Sequence, residues 1–295
     1  MIVTLLLFFD GLEYFGGDPL HALRAVGASY ASAFNPDSSL YFDFFSVFVS
    51  GFIVTFALML QPHILTKVLY LKNERDIGRF ISTTVIVGTM FTLMLMIGFY
   101  ARLAGLEVNS QDTVVREYLL HQYSDNGAGE YMLVFVFLTL LAAGMSTLDG
   151  ILVALSAMVV NDIVQPLSGS GSGSAKNGLL MSRLVLIGVG VLGAAMAWDP
   201  PPLIGLFAQK GVYGLAAASL VPILFGVLFP RPISNVIVFG SALLGFGIHL
   251  ALNLSFGIEN PAISATYGIF GALLFASSGL ILSRATNRAV HSSQQ

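Results

Sequence analysis

The 295-residue chain contains no cysteine, which excludes disulfides, thiolate metal sites and a cysteine nucleophile. Charge is almost as scarce. Asp, Glu, Lys and Arg make up 10% of the chain, thirteen basic residues stand against sixteen acidic ones, and there is no basic run. A net charge of −3 without such a run offers nothing to nucleic acid. The five histidines are scattered without HExxH or other ligand spacing, so no zinc site is indicated. No paired catalytic carboxylates and no nucleophile–base constellation stand out, so the chain does not read as an enzyme and requires no cofactor. Tryptophan occurs once, at Trp198, and reads as a membrane-interface anchor.

The rest is apolar. Hydrophobic residues make up 56% of the chain and the mean hydropathy is +0.83. Charge this sparse, between apolar runs this long, indicates an all-α integral membrane protein in a lipid bilayer. Met1 to Phe9 is apolar but less than half of the roughly 20 residues a span needs, and it reads as the trailing end of a membrane helix. Residues 10–40 form a polar connection in which Asp18 caps a surface helix that starts at Pro19 and runs to about Ala33.

Spans are expected at 41–61, 81–103, 131–164, 179–197, 203–229, 233–254 and 262–282. Pro62 ends the first, and Pro62, His63, Lys67, Lys72, Arg75 and Arg79 mark the basic loop after it. A second surface helix, capped at Ser110 or Asp112, ends near Tyr123. The third span, about 33 residues or roughly 50 Å, exceeds the bilayer and is expected to end at Asn161-Asp162. Residues 168–174 alternate Gly and Ser as a flexible connection. Alternating sides along these spans places Lys67, Lys72, Arg75, Arg79, Lys176, Arg183, Arg231, Arg284 and Arg288 together, against Arg24, Arg102 and Arg116. The positive-inside rule then puts the richer side, and the C-terminus, in the cytoplasm.

Within the third span stands Leu140-Leu141-Ala142-Ala143-Gly144-Met145-Ser146-Thr147-Leu148-Asp149-Gly150. On one helix the Ala143 carbonyl and the Ser146 and Thr147 hydroxyls share a face. Two readings stand side by side. Uncharged oxygens suit a hard, weakly bound cation such as sodium, while the same small residues would serve as a surface on which two membrane helices pack. Asp149, one turn on, would bind a second cation, carry a proton or sit satisfied in a hydrogen-bond network. Lys210 lies within a span beside Gln209, Gly211 and Gly214, where the glycines would open the helix to let the lysine receive an anionic solute; alternatively the lysine snorkels to the outer interface. His249, alone on an apolar span, reads as packed and hydrogen-bonded, and His63 as a loop histidine with gating as the alternative.

Ala142-Ala143-Gly144-Met145-Ser146-Thr147-Leu148-Asp149, continuing to Ser156 and Asn161-Asp162-Ile163, resembles the "AA-x-MST…S…D-[IL]-Y" helix of the sodium:solute symporter family. Val164 stands where that pattern has tyrosine. Gln61-Pro62-His63 is similar to the family's "PH" turn, and Gly214 to Phe229 to its penultimate core helix. The resemblance implies a LeuT-type inverted-repeat fold, of which this chain would carry the second repeat and the C-terminal helices. Residues 1–40 would be the end of a truncated membrane helix plus an extracellular loop, 41–229 the second five-helix repeat, 230–284 two peripheral helices and 285–295 a cytoplasmic tail.

It further implies a sodium-coupled symporter of the plasma membrane that imports a small organic solute. Ala143, Ser146 and Thr147 would ligate sodium. The residues themselves, rather than the resemblance, suggest Asp149 for a second cation or proton and Gln209 and Lys210 for the solute, with Lys210 favouring a carboxylate-bearing one. The remaining sodium ligands belong to the first helix of the first repeat, so a missing N-terminal half is expected as partner and these residues alone are not expected to transport. The alternative is a non-transporting structural or sensor subunit derived from the same fold.

Overall fold

The computed structural model describes residues 2–61, 64, 71–108, 110–124, 127–167, 175–229 and 233–292, among which all regular structure is helical. Six helices among these residues are long and apolar enough to cross a membrane: Glu74–Leu103, Gly129–Leu167, Gly178–Trp198, Ile204–Leu228, Asn235–Leu254 and Pro261–Ser283. The expected Pro62 turn with His63 and Lys67, the Gly/Ser run and Arg231 lie outside the described residues.

The chain forms two compact units, Met1–Leu103 with Leu203–Gln295, and Ala104–Pro202. The first begins with α1 (Ile2–Gly11), whose Leu7 is fully buried and which packs on α4 (Glu74–Leu95) and α5 (Ile97–Leu103). The Tyr100 hydroxyl donates to the Phe8 carbonyl at 3.2 Å, and its ring meets Phe15 edge-on. α2 (Pro19–Val26) starts as expected. The Asp18 carboxylate accepts from the His21 amide at 3.1 Å, and proline occupies the first turn, where no N–H is required. The helix stops at Val26 rather than near Ala33, because the chain turns extended at Gly27 and resumes only as a 3₁₀ turn at Ala28–Ala31.

The first expected span is shorter than its apolar run. α3 (π turn Phe45–Val49, then α-helix Ser50–Met59) covers 15 residues, about 22 Å against a hydrocarbon core of about 30 Å. Asp43 and Ser46 fix its start. The Ser46 amide donates to the Asp43 carboxylate at 2.7 Å, and the Asp43 amide to the Ser46 hydroxyl at 2.9 Å, a reciprocal cap that leaves Tyr41 and Phe42 outside the helix. The next span begins at Glu74 rather than Ile81. Glu74 and Asp76 in its first turn complement the helix dipole, and Asp76 lies 3.6 Å from Arg79.

The core of this unit lies between α3, α9 (Ile204–Leu228), α10 (Asn235–Leu254) and α11 (Pro261–Ser292). Val54, Ala57, Ala216, Ala217, Leu220, Ala265 and Ile269 form one buried cluster, and Val221, Phe225, Ile237, Ala272 and Ala276 another. Small residues bring the backbones into contact. A Cβ at Gly245 would collide with the Ala217 carbonyl, and one at Gly268 with the Gly245 carbonyl. One expectation fails here. Gly211 and Gly214 do not open α9, which is continuous from Ile204 to Leu228, since Gly214 is packed against α10. α11 continues through Ser292. α9 is entered through Leu203, a left-handed residue (φ 56°) that follows three prolines.

The second unit holds α6 (Val114–Tyr123), α7 (Gly127–Met158) and α8 (Ala175–Trp198), with α7 packed on both others. α6 ends at Tyr123 as expected, and a 3₁₀ turn at Gln111–Thr113 precedes it with Ser110 at the cap position. α7 does not end at Asn161-Asp162. It widens into a π turn at Val159–Val164 and closes in a last helical turn, Gln165–Leu167. A π turn absorbs an extra residue without ending the helix, and the Gln165 amide donates to the Asn161 side-chain oxygen at 3.3 Å, holding that register through Pro166.

The close α9–α10–α11 contact supports a direct check. Gly245→Ala places its methyl on the Ala217 backbone and is expected to cost about 1–3 kcal/mol. Gly247→Ala meets nothing within 4 Å and is expected to be near neutral, compared by thermal unfolding in one detergent.

Candidate functional site

Hydroxyl-bearing residues in an apolar helix have one cheap partner, the carbonyl a turn earlier. Thr147 uses it, its Oγ1 donating to the Ala143 oxygen at 2.9 Å. The bond decides how the hydroxyl presents itself. With its proton committed to the backbone, Oγ1 turns only lone pairs outward, which is the polarity a cation needs. Ser146 shows no hydrogen-bond partner among the described residues. Gly144 leaves open space beside the pair, because a Cβ there would meet nothing within 4 Å.

Ala143, Ser146, Thr147 and Asp149 are all exposed. So are the apolar residues around them, Leu141 at 61% and Met145 at 63%, which is how a helix appears when its neighbours are lipid or a facing helix. Farther along, Ser156 is buried and bonds back to the Val153 carbonyl at 2.9 Å. The oxygen donors of this wall, one carbonyl and two hydroxyls, are neutral.

Gln209 and Lys210 lie in the other unit, half-buried in the second turn of α9. The Lys210 carbonyl is 2.8 Å from Nε2 of His249, a fully buried residue of α10. Sequence reasoning expected a packed, hydrogen-bonded histidine and missed what it joins. Asn253 and Ser264 complete the network, and the spacing of Asn253, four residues after His249 on the same helical face, was the available signal. Also missed was the bond from the Gln61 amide to the Ser219 hydroxyl at 2.6 Å, which ties the end of α3 to α9.

No curated protein and no solved structure matches the chain. The model of the sodium:solute symporter family matches residues 1–242, a stretch that contains the hydroxyl wall, the Gln209–Lys210 pair and all of α9. The chain therefore belongs to the sodium:solute symporter family, membrane proteins of the LeuT inverted-repeat type that couple solute movement to sodium.

Proposed function

We propose that this chain serves sodium-driven import of a small organic solute, with the Ala143 carbonyl and the Ser146 and Thr147 hydroxyls forming one wall of the sodium site. The observation carrying this reading is the Thr147–Ala143 bond beside an unpartnered Ser146, which aims hydroxyl lone pairs outward on an uncovered face. Ligands from a facing helix of the other repeat complete the ion's shell. Asp149, one turn along, takes a second cation or a proton. Gln209 and Lys210 receive the solute, and the ammonium group selects one bearing a carboxylate.

The protein sits in the plasma membrane with its basic loops and C-terminus in the cytoplasm. Residues 41–229 act as the second five-helix repeat, and 230–284 as peripheral helices. The membrane potential adds about 2.3 kcal/mol per charge per 100 mV to the sodium gradient.

A second reading rests on a specific resemblance within the chain. Thr139 bonds to the Phe135 carbonyl at 2.8 Å in the same manner as Thr147 to Ala143, so the back-bond alone also fits a helix-packing surface in a non-transporting structural or sensor subunit.

Two measurements separate the readings. In the membrane-embedded symporter holding both repeats, Ser146→Ala and Thr147→Ala are each expected to raise the sodium concentration for half-maximal uptake roughly tenfold, about 1.4 kcal/mol, with membrane insertion unchanged. An unaltered sodium dependence would favour the packing surface. The absence of cysteine provides the second test. A cysteine introduced as Ser146→Cys is expected to react with a hydrophilic thiol reagent and to be protected by sodium but not by choline, whereas a lipid-facing or packed residue would stay unlabelled.

A further inference from the structure

The imidazole of His249 is fully buried and bridges three helices. Its Nε2 lies 2.8 Å from the Lys210 carbonyl on α9, and because a carbonyl only accepts, Nε2 carries the proton. The other ring nitrogen, Nδ1, lies 3.1 Å from the Ser264 hydroxyl on α11. Ser264 is itself fixed, 3.1 Å from the Pro261 carbonyl and 2.5 Å from the Asn253 amide nitrogen, which also donates to the His249 carbonyl at 3.0 Å. The ring is thus gripped from α10 and α11 and directs its one committed donor at α9.

α9 is shaped to receive it. Gly214, one turn after Lys210, has no side chain where the ring lies. A Cβ there would come within 2.9 Å of His249 Cδ2 and 3.1 Å of the Phe246 ring. The Lys210 carbonyl faces Gly214 within the helical ladder, so the imidazole bond is an additional one that helix formation does not require. Its effect is to set the rotation of α9 about its own axis at the second turn, and with it the direction of Gln209 and Lys210.

We propose that His249 is a positioning residue for solute recognition, clamping the Lys210 main chain from the α10–α11 pair so that the Gln209–Lys210 pair faces the solute. This rests on the assignment of those two residues to the solute, and the experiment separates the two ideas. In this cysteine-free chain, Gln209→Cys is labelled with a membrane-impermeant maleimide in three backgrounds. His249→Leu removes the donor and is expected to change the labelling rate about fivefold, the weight of one hydrogen bond. His249→Gln keeps an N–H at the place of Nε2 and is expected to restore the rate to within about twofold. Equal rates in all three backgrounds, or a Leu effect that Gln does not rescue, would overturn the clamp.

Should His249→Leu fail to fold, Ser264→Ala frees the far side of the ring while leaving the Nε2–carbonyl pair in place. It is expected to move labelling in the same direction by about twofold, and no movement would overturn the proposal. Uptake of radiolabelled L-alanine and pyruvate, two carboxylate probes, by the membrane-embedded symporter gives the second readout. His249→Leu is expected to raise their KM with the sodium half-saturation unchanged. If Lys210→Met leaves that KM untouched while the labelling arm behaves as expected, the solute assignment falls and the clamp on the main chain stands.

Discussion

A peptide group in hydrocarbon has no water to bond to, so each helix that crosses the bilayer must satisfy its backbone from within. That constraint also governs the side chains. Thr84 bonds to the Phe80 carbonyl at 2.8 Å, Thr89 to Val85 at 2.9 Å, Thr139 to Phe135 at 2.8 Å and Ser278 to Leu274 at 2.7 Å, all one turn back along their own helices. The Thr147–Ala143 bond belongs to this series and is not in itself a sign of function. What sets position 147 apart is an adjacent serine and a carboxylate, Asp149, three residues beyond that serine, all exposed on one helix.

The helices satisfy the constraint differently. Along their membrane-length stretches Glu74–Leu103, Gly129–Leu167 and Gly178–Trp198 have 6% or fewer of their residues buried within the chain, while α9, α10 and α11 have 22–33% buried, packed against one another and α3. Where lipid and protein are equally apolar, burial alone does not hold helices together. Close backbone contact and interhelical hydrogen bonds do. The Gly245–Ala217 and Gly268–Gly245 approaches supply the first, and His249, Ser264 and Asn253 the second. Polar side chains that would be costly in lipid are thereby spent on joining three helices at one depth.

Caps and turns explain where linear reading went right and where it erred. Asp18-Pro19 was legible because a cap involves neighbours in sequence, and the helix starts there. Asp43 and Ser46 cap each other by the same local chemistry, yet an apolar run starting at Tyr41 hid them. Asn161-Asp162 looked like a terminus because polar residues usually mark one, but a widened turn carried the helix past them to Leu167. The glycines of α9 looked like an opening, whereas Gly214 is a socket filled by a ring from another helix.

The order of apolar and polar residues by itself determined the membrane class, the helical content and the linear placement of the Ala143–Ser146–Thr147 wall, because these follow from the length of hydrocarbon to be crossed and a repeat of about 3.6 residues per turn. Only the tertiary structure decided that α3 is helical over Phe45–Met59 rather than the whole apolar run, that α9 stays closed, and that His249 reaches the Lys210 backbone 39 residues away in sequence. Those outcomes depend on which backbone fills the space beside a glycine or caps a helix end, and that is settled by packing between segments remote in the chain.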